Sequence, residues 1–514
     1  MPLPTPYRLA YLKPKLSISQ HCNLSWHQIS KPSKYVKYRV AWYNIIWLSV
    51  LPPLITIVVA IWSKKIIPSL LVGLVAGSYL LNPSATGGFE TAVDQIVETL
   101  IDKGNLQVLL FLYLFSGLIA LIRNSGGIEA FSDLAEKHIA SEKGVLLTLW
   151  ALIPVTFIDC GFRVIGAGSI IRSLAEKNKV AKERIAFMLN NTASPVVQLI
   201  PIATTFVGFN VAIISQGLTT AGVSESNSAY SVWLKAIPLE FFSMVVIVIT
   251  FLSIFFQFTK PGKHKNESNL KKDKSKMSMN MEVAEPVLKP RLINFIIPIS
   301  IVILLSFFFF WFFGKNKSDG TSIISAIIHT EPNRAMLVAL FISIFMTSIF
   351  YFFQKYDLKK MTVDFISGGN EIMTTLTILA IAWSLAAVSQ SLGLSSFIQQ
   401  QLGNSLPAWS TPVLLFLLSS AVTYFIGASW GAAALIMPFA IPLAVSVNSD
   451  IPLCVAAVIT GGTFGDVTSP VAGMTNMASN IAHADHAKYL KYASPYNFIA
   501  AGVAAILFLA AGFI

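Results

Sequence analysis

Apolar residues run along this chain for lengths that few soluble helices reach. Stretches 44–62, 106–122, 241–258, 292–313, 335–350 and 498–514 consist almost wholly of apolar side chains. About 20 such residues cross the hydrocarbon layer as a helix, so each stretch predicts a membrane span or most of one. The pattern predicts an all-α polytopic membrane protein with about 10–13 transmembrane segments. Four segments interrupt it: "IDCGFRVIGAG" (158–168), "NNTASPVVQLIPIATT" (190–205), "GASWGAAALIMPFAIP" (427–442) and "GGTFGDVTSPVAGMT" (461–475). They are rich in Gly, Pro, Ser and Thr, and predict broken or re-entrant helices. Backbone broken at membrane depth is tolerated where it lines a protected or watery cavity, because unpaired N–H and C=O groups are costly in lipid.

Residues 259–291 form the one long polar interruption, with nine Lys or Arg against four acids. It reads as a basic, flexible cytoplasmic linker. The expected organisation is a basic tail (1–43), a first membrane repeat (44–258), the linker (259–291) and a second membrane repeat (292–514). Short matches support a duplication. "NSGGIEAF" (124–131) matches "QSLGLSSF" (390–397) at an offset of 266, and "FIDCGF" (157–162) matches "FIGASW" (425–430) at 268. "TASPV" (192–196) matches "TSPV" (468–471), Pro195 on Pro470, at 275. Duplicated halves with paired interruptions point to a secondary transporter with a central site shared by both halves. The residues alone leave parallel and inverted halves open: a basic tail and a basic linker on one side imply parallel repeats.

Composition narrows the class. The chain has 514 residues, 54% hydrophobic and 12% charged, with a mean hydropathy of +0.66. Its net charge of +12 fits cytoplasmic loops rather than nucleic-acid binding. The first forty residues hold seven Lys or Arg and no acid, and read as a cytoplasmic tail rather than an organelle leader. Three cysteines, Cys22, Cys160 and Cys454, make no disulfide framework. There is no Walker lysine after a glycine loop and no protease motif, which argues against ATP-driven pumping and against an enzyme.

Ionisable residues at membrane depth are functional by default. Asp466 and Asp159 each lie in a broken segment and are the expected ion- or proton-coupling groups. A carboxylate in a poorly hydrated cavity can exchange a proton for a cation. Asn190, Asn191, Thr192, Ser194, Ser429, Thr468, Ser469, Thr475 and Asn476 supply oxygens suited to a hard cation or a polar substrate. Arg163, four residues after Asp159, either balances its charge through a helical ion pair or meets an anionic substrate. Glu240 reads as an interfacial partner of Lys235, and Glu371 lies where a span begins. His483, Asp485 and His486 read as a membrane-surface exit, not a metal cluster.

With these residues in hand, the chain resembles the NhaC-type sodium/proton antiporter family from about residue 45 onward, the linker excepted. The resemblance rests on "NSGGIEAF" with "AEKHIASEKG", on 157–196, on "GASWGAAALIMPFAIPLA" and on "GGTFGDVTSPVAG". It implies sodium/proton antiport by alternating access, inverted repeats with re-entrant hairpins, and Na+ and H+ as transported ions with no cofactor. The expected partners are the lipid bilayer and small ions, with a homodimer as the candidate assembly, in a bacterial inner membrane. A coupled carrier of an organic acid or amino acid is the rival reading. By this resemblance the chain reads as a divergent member: Ile158 stands where the family has the first acid of an "FDDYF" motif, and Gly473 where it often has a second late acid.

Overall fold

The computed structural model describes residues 46–127, 130, 141–202, 204–223, 229–256, 287–315, 332–402 and 406–514. The basic tail and most of the linker lie outside the described residues, as does part of "NSGGIEAF". Residues Asn44–Ile514 cluster as one compact unit. The helices in chain order are α1 Leu51–Ser63, α2 Ile66–Leu81, α3 Gly87–Ile101, α4 Lys103–Arg123, α5 Glu142–Ala151 and α6 Ile153–Thr156. Then follow α7 Cys160–Lys177, α8 Lys182–Asn191, α9 Ser194–Gln198, α10 Thr205–Ala221, α11 Ala229–Ala236 and α12 Phe241–Leu252. Beyond the linker come α13 Ile293–Gly314, α14 Pro332–Phe353, α15 Leu358–Glu371, α16 Met373–Ser391 and α17 Leu394–Phe397. The chain ends with α18 Thr411–Ile426, α19 Ser429–Ser446, α20 Ile451–Thr468, α21 Gly473–Ile481 and α22 His486–Ala511.

Eight helices among the described residues are long and apolar enough to cross a membrane. Residues 229–252 form a further apolar pair, bent by 41° between Leu239 and Phe241, which counts as a ninth span if the two pieces cross together; α1 and α2 are shorter apolar helices. The chain is an all-α, multi-pass integral membrane protein. α13 and α14 turn Leu304, Phe308, Phe341 and Phe345 outward, the face a lipid solvent accepts. α20 is the opposite case: every residue from Leu453 to Thr468 is buried. The helix everything else surrounds therefore carries "GGTFGDVT".

That helix corrects one expectation. Glycines 461, 462 and 465 do not break α20; the break is confined to 469–472. The glycines let α18 come close: a Cβ on Gly461 would lie 2.7 Å from the carbonyl oxygen of Phe416, and one on Gly465 would lie 2.4 Å from the Cβ of Thr423. Small residues at such crossings are how helices pack in lipid, where no hydrophobic drive joins them. α19 likewise runs unbroken through Pro438 and Pro442. The true interruptions are short, at 157–159, 192–193, between Gln198 and Thr205, at 427–428 and at 469–472, and all five fall inside the predicted segments or at their edges.

The matched motifs occupy equivalent places. "TASPV" spans the break between α8 and α9, and "TSPV" the break between α20 and α21. "FIDCGF" opens α7, and "FIGASW" opens α19. After α4 and α16 the chain turns on glycines of positive φ, Gly126 (79°) and Gly393 (91°), one residue off the register the sequence match gave.

Candidate functional site

Thr192 ends α8 and Ser194 begins α9, so the break puts two hydroxyls and the freed polar backbone between helix ends. Across from it, Asp466 sits in the last turn of α20, 5% exposed. Ser194 Oγ donates to Asp466 Oδ2 at 2.5 Å. Asn190 Nδ2 donates to the carbonyl oxygen of Val467 at 3.2 Å and to the Tyr489 hydroxyl at 2.7 Å. Asn191 Nδ2 donates to Asn497 Oδ1 at 2.7 Å, and Asn497 Nδ2 returns to Val467 O at 3.0 Å. Thr463, one turn before Asp466, donates to Gln198. The first-half break and the acid-bearing end of α20 are thus stitched together by side chains more than 260 residues apart in sequence.

Two further breaks close the same region. Ser429, at the start of α19, lies against Gly462, and its hydroxyl faces Asp466. Gly427 holds φ 73°, and a Cβ there would lie 2.7 Å from the carbonyl of Val471, so the breaks at 427–428 and 469–472 are in contact. His486 bridges Ser479 Oγ (3.0 Å) and the carbonyl of Pro470 (2.9 Å), tying the 469–472 break to the start of α22.

Each predicted residue has a definite place. Asp159 caps α7, accepting from Phe162 N at 3.0 Å with one oxygen and from Thr205 Oγ1 at 3.0 Å with the other. It does not pair with Arg163. That guanidinium is fully buried and donates to the Leu149 carbonyl (2.7 Å), Thr156 Oγ1 (3.0 Å) and Thr192 Oγ1 (2.9 Å). The helical ion pair is absent because Asp159, as the capping residue, turns its carboxylate onto the first-turn amides. Thr192 therefore sits between the buried cation and the Ser194–Asp466 contact. Ser469 donates to Tyr424 O at 2.6 Å, Thr475 to Ser469 O at 2.8 Å and Asn476 to Ala472 O at 2.8 Å, so these three spend their donors holding the last break.

Buried oxygens of Asn190 (Oδ1), Asn191 (Oδ1) and Thr468 (Oγ1) have no hydrogen-bond partner. Together with Asp466 they are acceptors in a region where α8 and α20 both end, and helix C-termini carry partial negative charge. The arrangement can hold a desolvated cation or a proton. Among the described residues no cluster of three His, Cys, Asp or Glu could hold a metal. Asp485 caps α22 through Lys488 N at 2.9 Å, and His486 has the structural bridge above. Glu371 pairs with Arg123 at 2.5 Å. The sequence reading missed Gln198, Thr463, Tyr489 and Asn497; the last, a lone amide in an apolar helix, was the visible signal.

Residues 196–513 match the model of the Na+/H+ antiporter family. An uncharacterized protein of Haemophilus influenzae (strain ATCC 51907 / DSM 11121 / KW20 / Rd) is 25% identical over 491 residues, 93% of each chain. Two solved transporters share the fold. MtrF of Neisseria gonorrhoeae, described as illuminating a class of antimetabolite efflux pumps, superposes with a TM-score of 0.59 at 13% identity, over 90% of this chain and 97% of its own. The YdaH transporter of Alcanivorax borkumensis, described as having an unusual topology, gives 0.54 at 12% identity over 89% and 98%.

Proposed function

Because the chain belongs to the Na+/H+ antiporter family, we propose that it exchanges sodium for protons by alternating access, as an NhaC-type member in a bacterial inner membrane. The observation that carries this is the buried Ser194–Asp466 contact between the two broken segments. A carboxylate there can bind one sodium ion or one proton but not both, which is the requirement for obligatory exchange. Asn190, Asn191 and Thr468 complete the oxygen set, with Ser194 and Ser429 orienting the acid. Asp159 is the second coupling candidate, through the link it makes between α7 and α10. The halves run in opposite directions in this proposal, since α8 and α20 meet at their C-terminal ends, Asn190 to Val467.

The rival, a coupled carrier of an organic acid or amino acid, would use Arg163 as its anion contact. Its terminal nitrogens already donate to Leu149, Thr156 and Thr192, which favours the ion exchanger. Purified protein in proteoliposomes separates the two. The expected result is saturable uptake of radioactive sodium driven by an outward proton gradient with no organic solute present. Uptake that requires an organic acid would sink the proposal.

A further inference from the structure

The broken span 229–252 holds an acid that the site above does not use. Glu240 lies at its midpoint, where the direction changes by 41° between Leu239 and Phe241. The sequence suggested a partnership with Lys235 at an interface. Instead Lys235 is exposed, Glu240 is 0% exposed, and neither of its carboxyl oxygens has a hydrogen-bond partner. Ser243, one turn on, is also fully buried, and its hydroxyl faces the carboxyl without closing a well-formed hydrogen bond.

The surroundings supply no counter-charge. α11 carries Lys235 alone, on its exposed side, and α12 carries no charged residue. α20, packed against the bend, carries buried Cys454 and Asp466. α18 offers Tyr424, and α9 nothing titratable. α8 brings Lys182, Glu183 and Arg184 to the opposite end of α12, where Arg184 donates to the carbonyl of Ser253. α22 keeps His486, Lys488, Tyr489, Lys491, Tyr492 and Tyr496 in its first half. Its far end meets the start of α12 through Phe241 and Phe508, and that half has no titratable side chain. An ionised carboxylate with no cation and only the Ser243 hydroxyl facing it is not sustained in such a place; the group neutralises instead.

We propose that Glu240 is a second proton-binding acid of the exchange cycle, protonated in this conformation and opened to water when the bent span moves. This rests on the antiport reading. The position fits: a hinge is the part of a span whose burial changes when the two pieces reorient, and α9, which carries Gln198 and Ser194, packs against both α12 and α20. The chemistry is proton exchange alone: the acid releases H+ to water on one side and the carboxylate takes H+ from the other.

Two measurements on the full-length protein test this. In proteoliposomes the number of protons moved per sodium should fall by one in E240Q, while sodium–sodium exchange stays within twofold of wild type; E240D should keep the wild-type ratio. An unchanged ratio in E240Q overturns the proposal. Independently of transport, infrared spectra of the purified protein at neutral pH should contain a protonated-carboxyl band that E240Q lacks and D466N retains. A spectrum in which E240Q removes no such band overturns it as well. If E240Q does not fold, E240D decides: a displaced band supports a protonated Glu240, an unmoved one contradicts it. A complete absence of sodium flux in wild type would instead refute the antiport reading and leave the infrared result to stand alone.

Discussion

Ser194 and Asp466 form the contact on which the site turns, and the two should separate experimentally. Asp466→Asn removes the exchangeable charge while keeping the volume and an acceptor oxygen for the Ser194 hydroxyl. Ser194→Ala keeps the charge and removes one oriented donor. A hydrogen bond to a charged group contributes about 1.5–3 kcal/mol, so S194A should raise the sodium KM roughly tenfold or more with exchange preserved. Initial-rate sodium uptake across a concentration series checks it; a KM equal to wild type would remove Ser194 from the site. Arg163 belongs to the same scale but a different role. Its loss leaves the Leu149 carbonyl, Thr156 and Thr192 without a buried donor, at about 1–3 kcal/mol per group. R163A should therefore lower the melting temperature in detergent markedly, and R163K, which cannot span three acceptors with one fork, only partly restore it.

Among the elements, α20 shows where sequence and structure part. The four interruptions were legible because Gly, Pro and hydroxyl residues cluster there, and each does contain or adjoin a break. Their extent was not legible. Local propensity reads "GGTFG" as a helix breaker, yet in lipid the backbone must stay hydrogen-bonded, and the glycines serve the α18 crossing. Asp466 was legible as a lone acid in an apolar stretch. The burial of Glu240 and the cap made by Asp159 were not, since each depends on which face a helix turns inward and on cap geometry. Two predictions follow at this scale. G465A must displace Thr423 and should destabilise by about 1–3 kcal/mol as overpacking does, read as a lower melting temperature with α18 the perturbed partner. H486A frees the Pro470 carbonyl and should slow exchange severalfold, consistent with the net worth of one or two hydrogen bonds. Wild-type exchange in H486A would show that the break needs no such tether.

For the whole molecule, the chain is a membrane transporter of the Na+/H+ antiporter family in which breaks far apart in sequence meet around one buried carboxylate. Hydrogen bonds joining Asn190, Asn191, Ser194 and Gln198 to partners beyond residue 460, the last donated by Thr463, cross that junction. In the proposed exchange that junction opens on alternate sides, and Asp466 carries either cargo. The most direct test loads proteoliposomes with sodium, dilutes them into sodium-free medium and follows internal pH. Wild type should acidify its interior as protons replace departing sodium, and D466N, correctly folded, should leave internal pH unchanged. Acidification by D466N at the wild-type rate would contradict the central role given to Asp466.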